Sequence, residues 1–330
     1  MLRSLEYLKK AHQYADSGQH AAVVDCLGER PREELEDSPT MSLLFGTAQA
    51  RLGRHEEGKR WVELALERSR ERADRAIEAR ALNVRGAIAL VAGRIDEAAK
   101  YLTEALAAAK RDGDNATVGR CSNNLGIIYN LRGEYAHAIG SYTMAMAAFQ
   151  QAGLDRGVAE TRHNLAITYR DQGDLERGLE EADHAVEQAS RVGDGSLRAQ
   201  TVAGRAEIRT LAGDSDLALK EIERALAEHK ELGDAVEEAH DLRIKAVALA
   251  AKGETDRATE LLRDVIGRAR EAQRPLLIAL ALRDLARLLR ANAENQSEVD
   301  EIVREARVLF NQLGARAEIK KLDAMMTSQS

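Results

Sequence analysis

The chain has 330 residues, enough for two or three ordinary domains or for one extended array of repeats. A formal net charge of −7 argues against general nucleic-acid binding, and an aromatic content of 3% argues against a large cofactor pocket or a base-stacking surface. The two cysteines, Cys26 and Cys121, lie far apart in sequence, which excludes a disulfide framework and favours a reducing, cytoplasmic setting.

Residues 1–39 predict a degenerate N-terminal repeat followed by a loop. The spacing from Gly18 to Gly53 is only 35 residues, and the stretch GERPREELEDSP contains two of the chain's 3 prolines, Pro31 and Pro39. We therefore expect this stretch to be a loop, with a regular array beginning at residue 40.

A period of forty residues organises residues 40–274, for which we predict six repeats. Two interleaved sets of glycines keep this step: Gly53, Gly93, Gly133, Gly173, Gly213 and Gly253, and, half a period away, Gly113, Gly153, Gly193 and Gly233. Self-similarity at a fixed period of about 20–50 residues is the signature of a solenoid. Because glycine commonly ends a helix with a positive φ, each period predicts two helices of about 16–17 residues.

Apolar and small residues support two helices in each period. In the unit that ends at Gly153, Leu125, Ile128 and Tyr129 recur at helical spacing, as do Tyr142 and Phe149 after the turn. Small residues recur at equivalent positions before and after each turn, and they predict helix axes about 8–10 Å apart. In the unit just described they are Gly126, Ala138 and Ala145.

Residues 275–314 predict a degenerate C-terminal repeat, and residues 315–330 a capping helix with a frayed tail. Pro275 lies at an expected helix start, where its missing N–H costs little. Ala293 replaces the turn glycine, and ANAENQSE replaces the tight turn. We expect a helix from Ala315 to Met326 and fraying of the final TSQS.

The unit containing Leu125, Gly126, Tyr129, Gly133, Ala138, Tyr142 and Ala145 matches the consensus of the tetratricopeptide-repeat family, which the chain resembles from about residue 5 to residue 313. The resemblance implies an all-α, right-handed superhelical solenoid of antiparallel helix pairs, with about seven to eight repeats plus a capping helix. The period is forty rather than thirty-four residues. In this respect the chain is similar to kinesin light chains, Pins-type spindle-orientation adaptors and bacterial regulators with such arrays. The resemblance also implies that the first helix of each pair lines a concave groove.

Charge is unevenly divided between the two helices of a pair. The predicted first helices (40–53, 79–93, 116–133, 156–173 and 196–213) carry eleven arginines against Glu160, Asp171 and Glu207, a net charge of +8, whereas residues 174–192 carry −4. This segregation favours an acidic ligand in the groove. Some arginines, such as Arg85 and Arg205, could instead point between repeats.

Asparagines occur at equivalent positions in consecutive first helices. Asn83 matches Asn123, and Asn124 matches Asn164. A side-chain amide can pair with the backbone of an extended peptide, and inward asparagines hold peptides in this way in the adaptors that the chain resembles. The alternative is a solvated polar face or pairing within one helix. The predicted peptide-binding residues are Arg80, Asn83, Arg120, Asn123, Asn124, Asn130, His163, Asn164, Arg170 and Gln200.

Catalytic and metal-binding motifs are missing from the sequence. The eight histidines occur singly without HExxH spacing, and two lone cysteines cannot form CxxC. His163, with Glu160 and Asp171 nearby in sequence, is the one cluster to weigh as acid–base chemistry, and it is more typical of a polar groove. Gly193-Asp194-Gly195 lacks the preceding strand of a nucleotide fingerprint. We therefore expect no enzymatic activity, no metal and no cofactor; no apolar run approaches the roughly 20 residues that span a bilayer, so no membrane insertion is expected either.

The leading functional hypothesis is an adaptor or scaffold that binds an extended, acidic peptide or the tail of a partner protein. A second is a regulatory protein that senses a peptide in bacterial signalling. Such regulators usually add a DNA-binding or three-helix effector region, and nothing before residue 40 resembles one. A third is a self-assembling scaffold, which would make the chain a homo-oligomer.

Overall fold

The computed structural model describes residues 2–16, 18–291 and 296–327. In these ranges every regular element is an α-helix, so the predicted all-α class is confirmed. In chain order the helices are α1 (Leu2–Asp16), α2 (His20–Gly28), α3 (Arg32–Asp37), α4 (Pro39–Arg51), α5 (His55–Glu71), α6 (Arg75–Val91), α7 (Ile95–Asp112), α8 (Asn115–Arg132), α9 (Tyr135–Gln151), α10 (Asp155–Gln172), α11 (Leu175–Val192), α12 (Gly195–Leu211), α13 (Ser215–Leu232), α14 (Ala235–Ala251), α15 (Thr255–Glu271), α16 (Pro275–Ala291), α17 (Gln296–Gln312) and α18 (Arg316–Thr327).

The helices pack as consecutive pairs in two compact units. Unit 1 ends at Cys121 and unit 2 begins at Ser122, so the boundary falls within α8. The pairs include α4 with α5 and α6 with α7 in unit 1, and α10 with α11, α12 with α13, α14 with α15 and α16 with α17 in unit 2. The predicted solenoid of helix pairs is thereby confirmed in both units.

Glycine followed by aspartate separates many of the helices. All ten glycines of the two predicted sets have a positive φ, as expected of glycines that end a helix. The next residue is often an aspartate that caps the following helix: Asp174 Oδ1, for example, accepts a hydrogen bond from the backbone N–H of Arg177 at 3.1 Å. Ala73 and Gln273 occupy the equivalent positions forty residues before Gly113 and after Gly233, and they have φ values of 55° and 53°. This left-handed conformation costs a residue other than glycine about 1–2 kcal/mol.

The N-terminal segment contains a helix where the sequence predicted only a loop. Residues 32–37 form α3, which starts directly after Pro31 and has Glu33 and Glu34 in its first turn, where acidic side chains favour a helix. Leu35 is buried, and its carbonyl accepts a hydrogen bond from Ser42 Oγ at 2.6 Å. The prolines therefore delimit a short helix rather than preventing one.

At the C-terminus, the described residues include helices that lie close to the predicted positions. α16 begins at Pro275, and α18 begins and ends one residue after the predicted capping helix. Ala293 lies outside the described residues with the other three of 292–295, half of the unusual stretch 291–298, and so do residues 328–330 of the predicted frayed tail.

Small residues allow close contact within a pair, as the sequence predicted. A Cβ on Gly126 would lie 2.4 Å from Cε1 of Tyr142, whose ring is almost completely buried. The tyrosine ring packs with Ala138 and Leu165 in one core cluster. Position 126 must therefore remain glycine for this ring to pack so closely against α8.

In unit 2 the first helices of the pairs form a continuous layer. α10 contacts α12, α12 contacts α14, and α14 contacts α16. The close helix contacts made by the second helices α11, α13 and α15 are with first helices rather than with one another, in the part of unit 2 that the structure describes. Because the first helices are closer together, this unit curves toward them.

Candidate functional site

We call the exposed side of the first helices in unit 2 its inner face. It comprises α8 from Ser122 onward together with α10, α12, α14 and α16. Of the residues that the sequence singled out, Asn124, His163, Asn164 and Gln200 lie half-buried on these helices. They offer polar groups that are held in place by helices yet remain accessible to a ligand.

Two of the predicted asparagines are joined to each other. Asn164 Nδ2 donates to Oδ1 of Asn123 at 3.0 Å, and Asn123 is itself buried. In the part of the chain that the structure describes, the Asn124 side chain makes no hydrogen bond. The Asn124 amide and the remaining acceptor of Asn164 are therefore the groups best placed for a ligand.

Three of the predicted residues belong to unit 1 and are described there. Arg80 forms an ion pair with Asp114 at 3.2 Å. Asn83 is buried, and its Oδ1 accepts a hydrogen bond from the Cys121 thiol at 3.5 Å; burial raises the pKa of that thiol to about 12. Arg120 is exposed and makes interactions of its own. Asn83 thus contributes to the packing of unit 1.

Two histidines on the inner face are held in the neutral form. A Cβ on Gly204 would lie 2.4 Å from Cε1 of His163, so the glycine makes room for the imidazole. Burial, with the nearby charge of Arg170, lowers the pKa of His163 to about 4, although Glu207 opposes this. Burial and Arg243 likewise lower the pKa of His240 to about 4. A ring of such low basicity is a poor general base at neutral pH.

The acid–base cluster that the sequence left open is not assembled around His163. Glu160 forms an ion pair with Arg156, and Asp171 pairs with Arg170 at 2.9 Å. Among the described residues no group of three or more His, Cys, Asp or Glu side chains could hold a metal ion. No helix in those ranges is both long enough and apolar enough to cross a membrane.

A closed network of ion pairs crosses the inner face, and we call it the charge ring. Among the described residues it joins eight side chains, each paired with the next: Asp171, Arg170, Glu207, Arg243, Asp284, Arg283, Glu318 and Lys321. Asn130 Nδ2 also donates to Asp171, at 2.9 Å. Of the predicted peptide-binding residues, Arg170 and Asn130 are therefore part of this network.

Burial and charge set the ionisation of the ring. Burial alone would raise the pKa of Asp284, but Arg283 and Arg243 hold it well below its usual range. The pKa of Glu207 is lowered to about 2 because Arg170 and Arg243 outweigh its burial. With four acids and four bases, the ring is neutral as a whole.

The arginines that suggested an acidic ligand have acidic neighbours in the structure. In unit 2, Arg162 pairs with Glu181 at 2.6 Å, and Arg205 pairs with Glu221 at 2.6 Å. Arg198 is paired with Glu228 of α13. The excess positive charge of the first helices is therefore largely balanced by the second helices of the same unit.

Sequence reasoning missed most of the charge ring. Arg243 and Asp284 lie inside apolar stretches, in DLRIKAVALA and LALRDLARLL, and both are almost completely buried. A charged residue within an apolar helix is the signal that could have found them, because such a residue must have a partner. Glu318 and Lys321 lie in α18, which the sequence predicts only as a capping helix.

Comparison with known proteins supports the fold. The family model described as tetratricopeptide repeat matches residues 37–111, 78–151 and 157–227, together more than half of the chain. None of the curated proteins is significantly similar in sequence.

Three solved structures share the arrangement of helices. The Rap conjugation gene regulator of plasmid pLS20, in complex with the Phr* peptide, superposes with a TM-score of 0.70 at 12% identity, covering 98% of this chain and 98% of that one. NprR in complex with its cognate peptide NprX gives 0.64 at 16% identity, covering 93% and 96%. A STAND signal-transduction ATPase with a tetratricopeptide-repeat sensor, from Pyrococcus horikoshii, gives 0.58 at 14% identity and 98% coverage of this chain; the chain spans only 48% of that protein's length.

Proposed function

Because the chain belongs to the tetratricopeptide-repeat family, we propose that it is a binding protein whose inner face in unit 2 holds an extended peptide or the tail of a partner protein. The observation that carries the proposal is the row of half-buried amides on neighbouring first helices: Asn124, Asn164 and Gln200. Amides can pair with a peptide backbone whatever its side chains are. The hydrogen bond from Asn164 to Asn123 holds one of these amides in position before a ligand arrives.

We infer a smaller role for the peptide's side chains than the sequence suggested. Acidity of the ligand stays a prediction. The arginines of unit 2 add little positive electrostatic potential that would attract an acidic peptide, because they already pair with acidic side chains. Recognition through the backbone fits the half-buried amides better than attraction by charge.

A regulatory protein that senses a peptide is the second candidate. The fold is shared with the Rap regulator and with NprR, each solved in complex with a peptide. A regulator differs from a passive adaptor in that the bound peptide must change its structure. A change in small-angle scattering on peptide binding would favour the regulator.

We expect the two accessible asparagines to determine peptide affinity. A peptide is first selected from a random peptide library on the intact protein, and its affinity is then measured by fluorescence anisotropy. Asn124→Ala and Asn164→Ala should each weaken binding about tenfold, because one lost hydrogen bond at a partly buried site is worth about 1–1.5 kcal/mol.

The matched control is Asn311→Ala, since Asn311 is exposed on α17. It should bind the selected peptide as the wild type does. Unchanged affinity in both Asn124→Ala and Asn164→Ala would show that the peptide binds elsewhere.

A further inference from the structure

The C-terminal helix α18 lies across the inner face of unit 2 and does not merely cap the last pair. Lys321 Nζ is 3.1 Å from Asp171 on α10, a contact between residues 150 positions apart. Ala317 lies next to Gly133, in the turn after α8: a Cβ added to Gly133 would lie 3.3 Å from the Cβ of Ala317. Leu131 of α8 packs against the apolar cluster that includes Leu322. The helix thus spans from the last pair back to α8 and α10.

The attachment of α18 is partly apolar and partly ionic. Leu322 is fully buried, with Ile319 and Met325 partly buried beside it. On its polar side Glu318 pairs with Arg283, and Lys321 pairs with both Glu318 at 2.8 Å and Asp171. Lys321 is the member of the charge ring with the most exposed side chain, at 39%. Water therefore reaches the ring at this residue, where we expect it to open most easily.

Two of the predicted peptide-binding residues lie where α18 is attached. Asn130 donates to Asp171, the same carboxylate that Lys321 contacts, and Arg170 binds that carboxylate as well. Asn130 Oδ1 is buried, and among the described residues no hydrogen-bond donor reaches it. A ligand that extends from Asn124 toward the end of α8 would meet α18 at this point.

Resting on the proposed function, we propose that α18 is an internal occupant of the inner face, and that a bound peptide and α18 compete for it. On the inner face, Asp171 and Arg283 form the site to which this occupant binds. The site fits a helix that has an acidic residue, a basic residue three positions later, and an apolar stripe beside them. In α18 these residues are Glu318 and Lys321. Release of α18 uncovers Asn130 and the end of α8 for the peptide.

The test uses Lys321→Glu in the full-length chain, with Lys320→Glu as the matched control, because Lys320 is the exposed neighbour on the same helix. Glutamate at 321 would face Asp171 and Glu318, and like charges at this spacing repel. Hydrogen exchange of residues 316–327 should accelerate at least about tenfold, and the library-selected peptide should bind about tenfold more tightly. Lys320→Glu should change neither. Leu322→Asp, which removes the buried apolar anchor, should act as Lys321→Glu does.

A second probe separates this inference from the proposed function. A synthetic peptide with the sequence of residues 316–327 should bind Lys321→Glu in trans at least about tenfold more tightly than it binds the wild type. If no library peptide binds any variant but this peptide does, the proposed function fails while the docking of α18 stands. If α18 is released and the library peptide binds with unchanged affinity, competition is refuted. If neither Lys321→Glu nor Leu322→Asp accelerates exchange, α18 is a fixed part of the fold and the inference is wrong.

Discussion

Replacing Arg243 by methionine should lower the free energy of unfolding by about 3–5 kcal/mol, the usual cost of removing one partner from a buried ion pair. Arg243 is about 4% exposed and lies between two carboxylates, Glu207 and Asp284, the latter 2.7 Å away. Without the guanidinium, Glu207 retains its ion pair with Arg170, and Asp284 retains its ion pair with Arg283. Methionine has a similar length and fills much of the volume of the arginine side chain. The lost free energy of unfolding therefore comes from removal of the charge rather than from a cavity.

Urea unfolding of the purified chain measures this effect. Arg191→Met is the control, because Arg191 is 75% exposed and its ion pair with Glu187 joins two residues of the same helix, α11. An exposed pair of this kind contributes about 0–1 kcal/mol. A loss below about 1 kcal/mol for Arg243→Met as well would contradict the view that the charge ring is a buried, coupled network.

Acid should destabilise the protein through the two neutral histidines of the inner face. The pKa values of His163 and His240 are lowered to about 4 in the folded chain. Between their ordinary pKa near 6.5 and pH 4, the unfolded chain binds protons that the folded chain does not, so stability falls as the pH falls through this range. We expect these two histidines to lower the free energy of unfolding by about 3–5 kcal/mol at pH 4.5 relative to pH 7.5.

The expected result is a smaller acid loss in the double variant His163→Gln, His240→Gln, measured as urea unfolding at both pH values. Other groups act in the opposite direction: burial, with Asp234 nearby, raises the pKa of Glu237 to about 7, so this carboxyl favours the folded state as the pH falls from 7 to its ordinary value. Glu237 is present in both proteins, so it cancels in the difference between them. His184→Gln, on the exposed side of α11, should leave the profile of the wild type unchanged. Equal acid losses in the wild type and the double variant would mean that these two rings are protonated in the folded state.

Much of the fold could be predicted from the sequence because it depends on local residues. A glycine with positive φ ends a helix whatever surrounds it, and the aspartate that follows, as at Asp174, caps the next one. The small residue at position 126 was predictable for the same reason, because Tyr142 of the same repeat packs closely against it. Each of these features acts within one repeat, so a repeated pattern reveals it.

The candidate site was less accessible to the same reasoning, because the direction of a side chain depends on tertiary packing. Asn83 and Asn124 are both asparagines of first helices, yet Asn83 is buried against Cys121 and Asn124 is half-buried on the inner face. The charge ring was missed because its closure joins Asp171 to Lys321 across 150 positions. Counting arginines overestimated the positive field for a similar reason: their acidic neighbours lie on other helices.

Site-specific photo-crosslinking tests most directly whether the inner face of unit 2 binds the peptide. The photoreactive residue p-benzoylphenylalanine is placed at position 200, on the inner face of α12, or at position 180, on the exposed side of α11, and each protein is irradiated with the library-selected peptide. The peptide should crosslink at position 200 and fail to crosslink at position 180. Crosslinking at position 180 alone would place the ligand on the second helices and contradict the proposed site.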